Sequence, residues 1–319
     1  AIDAVPYGID CGDLTVDLGA IFDLGGFGSN VNGLDGDGVV DNSVGTGVCV
    51  LGVGHNDATS SFSGIIASGA GTVSLTKNGA GTLTLSGNSS FAGDLTLNAG
   101  QLQVGGDSIG FVGAITSSPL GTGNLILNGG TISSDGSSDR TVLNPVVFSA
   151  DVALGDSSAD GVLTFNASST LTGNRSLEIA SSVEFAGAIS GSYGLTKTGS
   201  GTLILSGAST YTGGTTLDSG TLQVGGDSIG SVGDITSGPF GTGSLTLGSG
   251  TLSSDGSGDR TILNPVVFGG DIMLGAADTG KLTFAASGTL NVDSALTVCS
   301  DIDIGGVVCG EHGLTKNGD

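Results

Sequence analysis

Apolar and polar residues alternate in short strings along most of the chain. Leucine and valine take every second position, with threonine, serine or glutamine between them, in strings such as residues 81–85, 101–104 and 161–165. A period of two is typical of β-strands that bury one face. Clusters of glycine, asparagine, aspartate and serine separate the strings and favour turns, because these residues tolerate positive φ. The pattern predicts many short strands, tight turns and no helix of useful length.

The strings belong to a long internal repeat. Residues 75–148 recur 120 residues later as residues 195–268, and the opening phrase starts a third time at Leu314. Self-similarity at a long fixed period is typical of stacked architectures. We therefore predict an all-β chain that forms a parallel β-helix (β-solenoid) of about 13–15 coils, with roughly 20 to 25 residues in each coil. An array of β-sandwiches is the alternative.

The repeat divides the chain into four predicted segments. Residues 1–62 do not match it and are predicted to form an N-terminal cap or non-repeat coils. Residues 63–181 and 182–301 are the first and second β-helix repeat units. Residues 302–319 are predicted to begin a third repeat or to form a subunit junction.

The charge balance narrows the range of partners. The chain has 30 acidic and 7 basic residues, and its formal net charge is -23. A field of this sign repels phosphate backbones, so we predict no nucleic-acid partner. Glycine supplies 63 of the 319 residues and 37% of the residues are apolar, which suits a folded β-protein with many turns. No apolar run approaches the roughly 18 residues of a transmembrane helix, so we predict no membrane-spanning segment in this chain.

Four cysteines lie towards the two ends of the chain. The simplest pairing joins Cys11 with Cys49 and Cys299 with Cys309. Each disulfide is expected to stabilise the fold by about 2–4 kcal/mol in the chain-entropy model. A zinc site is the alternative, but it would need closer ligand pairs with more Cys or His nearby. Disulfides form in oxidising compartments, so the cysteines favour an extracellular or outer-surface chain.

One phrase of the repeat is distinctive. Residues 75–79 read Leu-Thr-Lys-Asn-Gly and lead into Gly-Thr-Leu-Thr-Leu-Ser-Gly at 81–87, and residues 195–207 repeat both phrases with small changes. This pattern resembles the autotransporter-associated β-strand repeat. The resemblance implies a right-handed parallel β-helix in a secreted or surface protein of a Gram-negative-type bacterium. It also implies a passenger-type chain, since members of this family are usually adhesins or surface-exposed structural proteins.

Asp35, Asp37 and Asp41 are the best candidates for a metal site. Carboxylates at alternate positions followed by glycine resemble the turn of a calcium loop, in which hard oxygen ligands converge. The loop is incomplete, because Gly33 stands two positions before Asp35 and no glutamate closes it. The alternative is an acidic surface turn. Calcium is therefore the one cofactor for which the sequence offers a candidate.

No catalytic constellation is visible in the sequence. His55 and His312 have no Ser, Cys or acidic neighbour in a recognised motif. Arg140 and Arg260 recur with the repeat, and their expected role is a local ion pair with the aspartates of the same turns. The Gly-rich string 105–110 lacks the features of a phosphate loop and is predicted to be a turn. We predict a non-enzymatic protein and keep a β-helical polysaccharide lyase as a remote alternative.

The ends of the array suggest a function. The third copy breaks off within its motif, and the phrase near the start of the chain resembles the one that should follow. The end of a β-helix exposes backbone groups that can pair with another strand. We predict a secreted structural protein that polymerises head-to-tail with itself into an extracellular fibre or surface layer. The alternative is an autotransporter-type adhesin passenger fragment that binds a host or neighbouring cell. The predicted junction residues are Gly12, Leu14, Val16, Leu314, Lys316 and Gly318.

Overall fold

Short β-strands form almost the whole structure, a computed structural model that describes residues 8, 11–136, 138–158 and 161–318. Within this part of the chain, helical structure is confined to one 3₁₀ turn at His55–Asp57. Backbone contacts divide the chain into two compact units, one up to Ala167 and the other from Ser168.

The strands of the first unit are mostly three or four residues long. They are β1 (Leu14–Val16), β2 (Ile21–Asp23), β3 (Ser29–Asn30), β4 (Leu34–Gly36), β5 (Val39–Asp41), β6 (Val48–Val53), β7 (Ser60–Phe62), β8 (Ile65–Ile66), β9 (Thr72–Lys77), β10 (Thr82–Leu85), β11 (Leu95–Leu97), β12 (Gln101–Val104), β13 (Ile109–Phe111), β14 (Ala114–Ser117), β15 (Leu125–Leu127), β16 (Thr131–Ser134), β17 (Arg140–Val142), β18 (Val146–Phe148), β19 (Val152–Leu154) and β20 (Leu163–Phe165).

The strands of the second unit have similar lengths. They are β21 (Ser169–Leu171), β22 (Arg175–Ile179), β23 (Val183–Phe185), β24 (Ile189–Ser190), β25 (Leu195–Thr198), β26 (Thr202–Leu205), β27 (Thr215–Leu217), β28 (Thr221–Val224), β29 (Ile229–Ser231), β30 (Asp234–Ser237), β31 (Leu245–Leu247), β32 (Gly250–Ser254), β33 (Arg260–Ile262), β34 (Val266–Phe268), β35 (Ile272–Leu274), β36 (Leu282–Phe284), β37 (Gly288–Leu290), β38 (Ser294–Val298), β39 (Ile302–Ile304), β40 (Val308–Gly310) and β41 (Leu314–Gly318).

Parallel pairing between successive coils organises both units. In the first unit the longest sheet has the order β1-β4-β7-β10-β12-β16-β19, and a second sheet contains β3-β6-β9-β11-β15-β18. In the second unit the corresponding orders are β22-β25-β27-β31-β34-β37-β40 and β23-β26-β28-β32-β35-β38-β41. The first order given for each unit has seven strands, one for each coil, which amounts to about 14 turns. The predicted parallel β-solenoid of 13–15 coils is confirmed.

Ladders of identical or similar apolar side chains form the core. Leu75, Leu95, Leu125 and Val146 are direct neighbours on successive strands, and at most 1% of each side chain is exposed. In the strands of the core ladders alternate residues point inward, as in β11 and β15, so the period of two predicted from the sequence is the period of burial there. The in-register ladder arises because each coil repeats the same alternation as the one below it.

The glycine that ends the Leu-Thr-Lys-x-Gly phrase is required by close packing between coils. Gly79 has a φ of 65°, and a Cβ atom at this position would lie 2.0 Å from the carbonyl oxygen of Gly54 in the preceding coil. Its equivalent Gly199 has a φ of 74°. Only glycine combines this backbone conformation with this close approach.

The residues before the repeat already form coils. Strands β4 and β7 belong to the same sheet as β10 of the first repeat, so residues 11–62 have the same kind of structure as the repeat itself. The division into segments 1–62, 63–181, 182–301 and 302–319 stays a prediction from the sequence.

Candidate functional site

Two β-hairpins leave the parallel coils, one in each unit. Arm 1 consists of β13 and β14, and arm 2 consists of β29 and β30; both pairs are antiparallel and have the same register and the same bulge. Every residue of β13 and of β29 is exposed. The prediction that residues 105–110 form only a turn is therefore wrong, since Ile109 and Gly110 begin arm 1.

The tip of arm 1 is apolar. Phe111 is 80% exposed and Val112 is 55% exposed. Gly113 follows with a φ of 83° and makes the tight turn into β14. In arm 2, Ser231 takes the position of Phe111, while Val232 is again 55% exposed. Each arm therefore presents a branched apolar side chain at its tip, and arm 1 adds an aromatic ring.

The first strand of each arm is attached to the following coil by the serine that precedes it. The backbone N–H of Ser108 donates to the carbonyl oxygen of Thr141 at 2.9 Å, and its hydroxyl oxygen accepts from the N–H of Leu143 at 3.1 Å. In the second unit, Ser228 makes the same backbone bond to Thr261 at 2.9 Å. The identical sequence Gly-Asp-Ser-Ile-Gly in the two units thus produces identical anchors.

The segment that follows the second strand of each arm is held by a buried asparagine of the coils. Asn144 is fully buried, and its Nδ2 donates to the carbonyl oxygens of Gly121 at 3.1 Å and Gly123 at 2.8 Å. Its Oδ1 accepts from the hydroxyl of Ser118, which directly follows β14. Asn264 makes the corresponding pair of bonds in the second unit. We call the serine and asparagine contacts of an arm its mount.

A cleft of about 450 Å³ lies between arm 1 and the coil surface. Its wall is formed by residues 113–115 of the arm, and its floor by Asp94, Asn124 and Pro145. These three floor residues precede β11, β15 and β18, so they belong to successive coils. The Oδ1 atom of Asp94 accepts from the N–H of Asn124 at 2.9 Å. We call this space the arm cleft.

The calcium candidates are held by backbone contacts. Asp35 lies in β4, and its carboxylate accepts from the N–H of Ser61; Asp41 lies in β5 of a different sheet and accepts from the N–H of Gly69. Asp37 is exposed at the corner between the two strands. In the part of the chain that the structure describes, no group of three or more His, Cys, Asp or Glu could hold a metal ion. The structure adds no support to the calcium site.

All four cysteines are among the described residues, and all are free thiols. The predicted pairs Cys11–Cys49 and Cys299–Cys309 are therefore not formed in this structure. Cys49 is 1% exposed within β6, and its burial raises the pKa of the thiol, which disfavours the reactive thiolate. Cys299 follows β38, whereas Cys309 lies in β40 of another sheet.

The predicted junction residues lie on the outermost described strands. Leu14 and Val16 belong to β1, which pairs with β4, and Gly12 precedes this strand. Leu314, Lys316 and Gly318 belong to β41, which pairs with β38, and every residue of β41 is exposed. Beside β41, a cavity of about 360 Å³ is lined mainly by aliphatic side chains of β38, β39 and β41.

The acidic turns behave as predicted. Arg140 donates to Asp135 at 2.8 Å, and Arg260 donates to Asp255 at 2.7 Å. Both guanidinium groups also donate to a backbone carbonyl of an earlier strand, Val104 or Val224. The predicted local ion pairs are confirmed, and they also connect each turn to a neighbouring strand.

Two lysines of the repeat are buried and hydrogen-bonded to backbone carbonyl oxygens, a role that was not predicted from the sequence. Lys77 and Lys197 are fully buried. The Nζ of Lys77 donates to the carbonyl oxygens of Gly79 at 2.9 Å and Ala99 at 3.2 Å, and the Nζ of Lys197 donates to Ser219 at 2.9 Å. Desolvation lowers the pKa of each lysine to about 8. The signal was available, because Lys77 continues the inward set of β9 after two apolar residues.

Comparison with known proteins places the repeat in a family. A family model described as the passenger-associated-transport-repeat matches residues 75–104 and 195–224. The family resemblance seen in the sequence is confirmed: these two stretches are autotransporter-associated β-strand repeats of the passenger type. Both arms lie just beyond the matched residues.

A curated relative extends the similarity over more of the chain. The Adhesin BmaC autotransporter of Brucella suis biovar 1 (strain 1330) is 31% identical over 283 residues, which cover 76% of this chain and 7% of that protein. No solved structure matches the chain. These similarities indicate an extracellular or cell-surface location, as the sequence predicted. Among the described residues, no helix is long and apolar enough to span a bilayer.

Proposed function

We propose that this chain is a non-enzymatic segment of a cell-surface adhesin, in which stacked coils hold the two arms outward as contact elements. The observation that carries the proposal is the exposure of Phe111 and Val112 at the tip of a hairpin whose base is held by a buried mount. Single exposed apolar residues are normal on protein surfaces. A duplicated, anchored hairpin that presents them is a specific interaction element.

The similarity to an adhesin supports this role. The chain spans only 7% of the length of that relative, so we propose a local contribution to adhesion. The paired arginines support the non-enzymatic part of the proposal. Arg140 and Arg260 both donate to a carboxylate and to a backbone carbonyl, which keeps these two arginines in a structural role rather than that of a lyase base.

An adhesion assay tests the proposal. The chain is displayed on a non-adherent bacterium, and binding to host-cell layers and to neighbouring bacteria is counted for the wild type and for a tip variant with Phe111→Ser, Val112→Ser and Val232→Ser. We expect the tip variant to lose most of the adhesion. The control replaces Leu18, Val44 and Val307 by serine, since these residues are similarly exposed on the coils. Equal adhesion of the tip variant and the wild type would refute the proposal.

We also propose the finer function of head-to-tail polymerisation, with a second copy of the chain as partner. The exposed β41 and the apolar cavity beside it support this proposal, because strand addition there would bury Leu314 and extend the core ladders. Strand β1, with Leu14 and Val16, is the proposed partner strand. Heterologous contacts of this kind produce filaments when they do not close.

Negative-stain microscopy at increasing protein concentration tests polymerisation. We expect filaments for the wild type and monomers for Leu314→Asp, because a carboxylate in the apolar cavity prevents stacking. The control is Val307→Asp, at a position that is 75% exposed and does not line the cavity. Monomers of the wild type at every concentration would exclude the fibre.

A further inference from the structure

We propose that the arm cleft of the first unit binds a short, extended, basic segment of a partner protein, with apolar side chains of that segment against the arm tip. The proposal rests on the adhesive function above and specifies the chemistry of the partner. Three properties together define this ligand: the length of the cleft floor, the charge of the cleft and the apolar side chains of the hairpin that forms its wall.

The length of the floor suits a short extended segment. Asp94, Asn124 and Pro145 come from three successive coils, and neighbouring parallel strands are about 4.8 Å apart. The floor is therefore about 10 Å long. An extended chain rises about 3.3 Å per residue, so three or four residues fit along it. The cavity volume of about 450 Å³ falls in the range of ligand sites.

Each unit of this chain has one carboxylate at one of two equivalent positions in the sequence, although the position differs. In the first unit both positions line the cleft, Asp94 on the floor and Ala114 on the arm. In the second unit Gly214 replaces Asp94, and Asp234 replaces Ala114. One carboxylate is thus kept at one of the same two positions, while most of the arm sequence is unchanged. A single retained negative charge favours a cationic group in the ligand.

The hairpin that forms the wall of the cleft carries exposed apolar side chains. Ile115 lies in its wall, and Ile109, Phe111 and Val112 are exposed on the same hairpin. An aromatic ring with a branched aliphatic neighbour can cover the apolar side chains of a bound segment. The ligand therefore combines a cation with apolar groups.

A polypeptide is the class of macromolecule that meets both requirements. Nucleic acids, acidic glycans and anionic lipid surfaces would approach a chain of net charge -23 against electrostatic repulsion. Lysine and arginine carry the required cation on a backbone that also carries valine, leucine or isoleucine. The negative field of this chain also accelerates encounter with such a partner.

Fluorescence anisotropy with the full chain tests the proposal. The probe is a labelled eight-residue peptide in which valine alternates with lysine or arginine, compared with a peptide that has glutamate or aspartate at the charged positions and one that has serine at the valine positions. We expect the basic, valine-containing peptide to bind most tightly. The variant Asp94→Asn/Asp234→Asn should weaken its binding about fivefold, because a partly exposed ion pair is lost.

Two comparisons separate binding from effects on folding. The change Asp94→Asn keeps an oxygen that can accept from the N–H of Asn124, so the coil is expected to remain intact. The control Asp17→Asn/Asp278→Asn removes the same charge from exposed positions of both units and should leave the affinity unchanged. Phe111→Ser/Val112→Ser should weaken binding of the valine-containing peptide and not of the serine-containing one.

Several results would overturn the proposal. Equal binding of the acidic and basic peptides, or unchanged affinity of Asp94→Asn/Asp234→Asn, would exclude the charged cleft. Co-sedimentation with phosphatidylcholine vesicles that depends on Phe111, without peptide binding, would assign the arm to membranes instead. Adhesion that depends on the arm tips, combined with no peptide binding, would reject this partner and leave the proposed adhesive function standing.

Discussion

At the scale of single residues, the buried lysines explain the lysine of the Leu-Thr-Lys-x-Gly phrase. The Nζ of Lys77 donates to the carbonyl oxygen of Gly79 in its own coil and to that of Ala99 in the next coil. Burying an ammonium group is costly unless it is hydrogen-bonded. The carbonyl oxygens around Nζ offset that cost, and the shared acceptors join two successive coils. Lys197 does the same in the second unit.

Replacing one of these lysines should destabilise its unit. Lys77→Met keeps the length of the side chain but leaves buried carbonyl oxygens without their donor, which costs about 1–3 kcal/mol. We expect the urea midpoint of the variant to fall clearly below that of the wild type. The control is Lys281→Met, whose exposed ion pair with Asp303 contributes little. Equal midpoints for the two variants would contradict the role of Lys77.

The same lysines should make stability depend on pH. Desolvation lowers the pKa of Lys77 and Lys197 to about 8 from the ordinary 10.5, and Asp57 partly opposes this shift at Lys77. The unfolded chain therefore binds more protons than the folded chain above pH 8, so these lysines make stability rise with pH up to about 10.5.

The pH dependence of stability must be measured against a reference variant, because other ionisable groups change the stability in the opposite direction. Burial raises the pKa values of Cys49 and Tyr211, which lowers stability as those groups ionise in the unfolded chain. The variant Lys77→Met/Lys197→Met retains both groups. We expect the wild type to gain stability relative to this variant between pH 7 and 9.5, as measured by urea unfolding. A constant difference would show that the lysine pKa values are not lowered.

At the scale of elements, each arm depends on its mount. The hairpin strands are exposed and bury little apolar surface of their own, and an isolated two-stranded hairpin is at best marginally stable. Asn144 and Ser108 supply the missing stabilisation, because their hydrogen bonds attach both ends of the hairpin to the coils. The arm is therefore ordered by contacts at its base, while its tip remains available.

Removal of the buried asparagine should loosen one arm only. Asn144→Ala leaves the carbonyl oxygens of Gly121 and Gly123 without their donor, at a cost of about 2 kcal/mol. We expect faster hydrogen exchange in residues 109–117, and unchanged exchange in residues 229–237, whose mount contains Asn264. Asn128→Ala removes an exposed asparagine as a control. Unchanged exchange in arm 1 would show that the mount does not order it.

At the scale of the whole molecule, negative charge opposes the compact state. With 30 acidic and 7 basic residues, the cations of the chain can neutralise fewer than a quarter of the carboxylates. Parallel stacking brings successive coils to about 4.8 Å, which is within the screening length of ordinary buffers. Many aspartates reduce this repulsion by accepting from backbone N–H groups of an adjacent coil, as Asp94 and Asp139 do.

Salt should therefore stabilise the protein. The screening length falls from about 30 Å at 0.01 M to about 8 Å at 0.15 M ionic strength. We expect the Tm to rise over this range of NaCl, and CaCl₂ at equal ionic strength to have no larger effect than MgCl₂. A further rise specific to calcium that disappears on chelation and in Asp41→Asn would instead establish the site at Asp35, Asp37 and Asp41.

Much of the fold could be predicted from residue order because its determinants are local. The alternation in strings such as 101–104 defined which side chains face inward, and the repeat at residues 75 and 195 implied coils that stack in parallel. The identity of the repeat followed from the same phrase. None of these inferences required knowledge of contacts between distant residues.

The candidate site depended on such contacts. The string at 105–110 has the composition of a turn, and it leads into an arm because Ser108 and Asn144 are hydrogen-bonded to other coils. A lysine such as Lys77 would be expected at the surface from the sequence alone. It is buried because the next coil covers it with carbonyl oxygens. Asp35 and Asp41 are close in sequence, and the corner between β4 and β5 places them in different sheets. By itself, the sequence determined the strands, their inward faces and their stacking, since alternation and repetition act along the chain. Only the tertiary structure decided which polar groups are buried and which segment leaves the coils, because both depend on what the neighbouring coil presents.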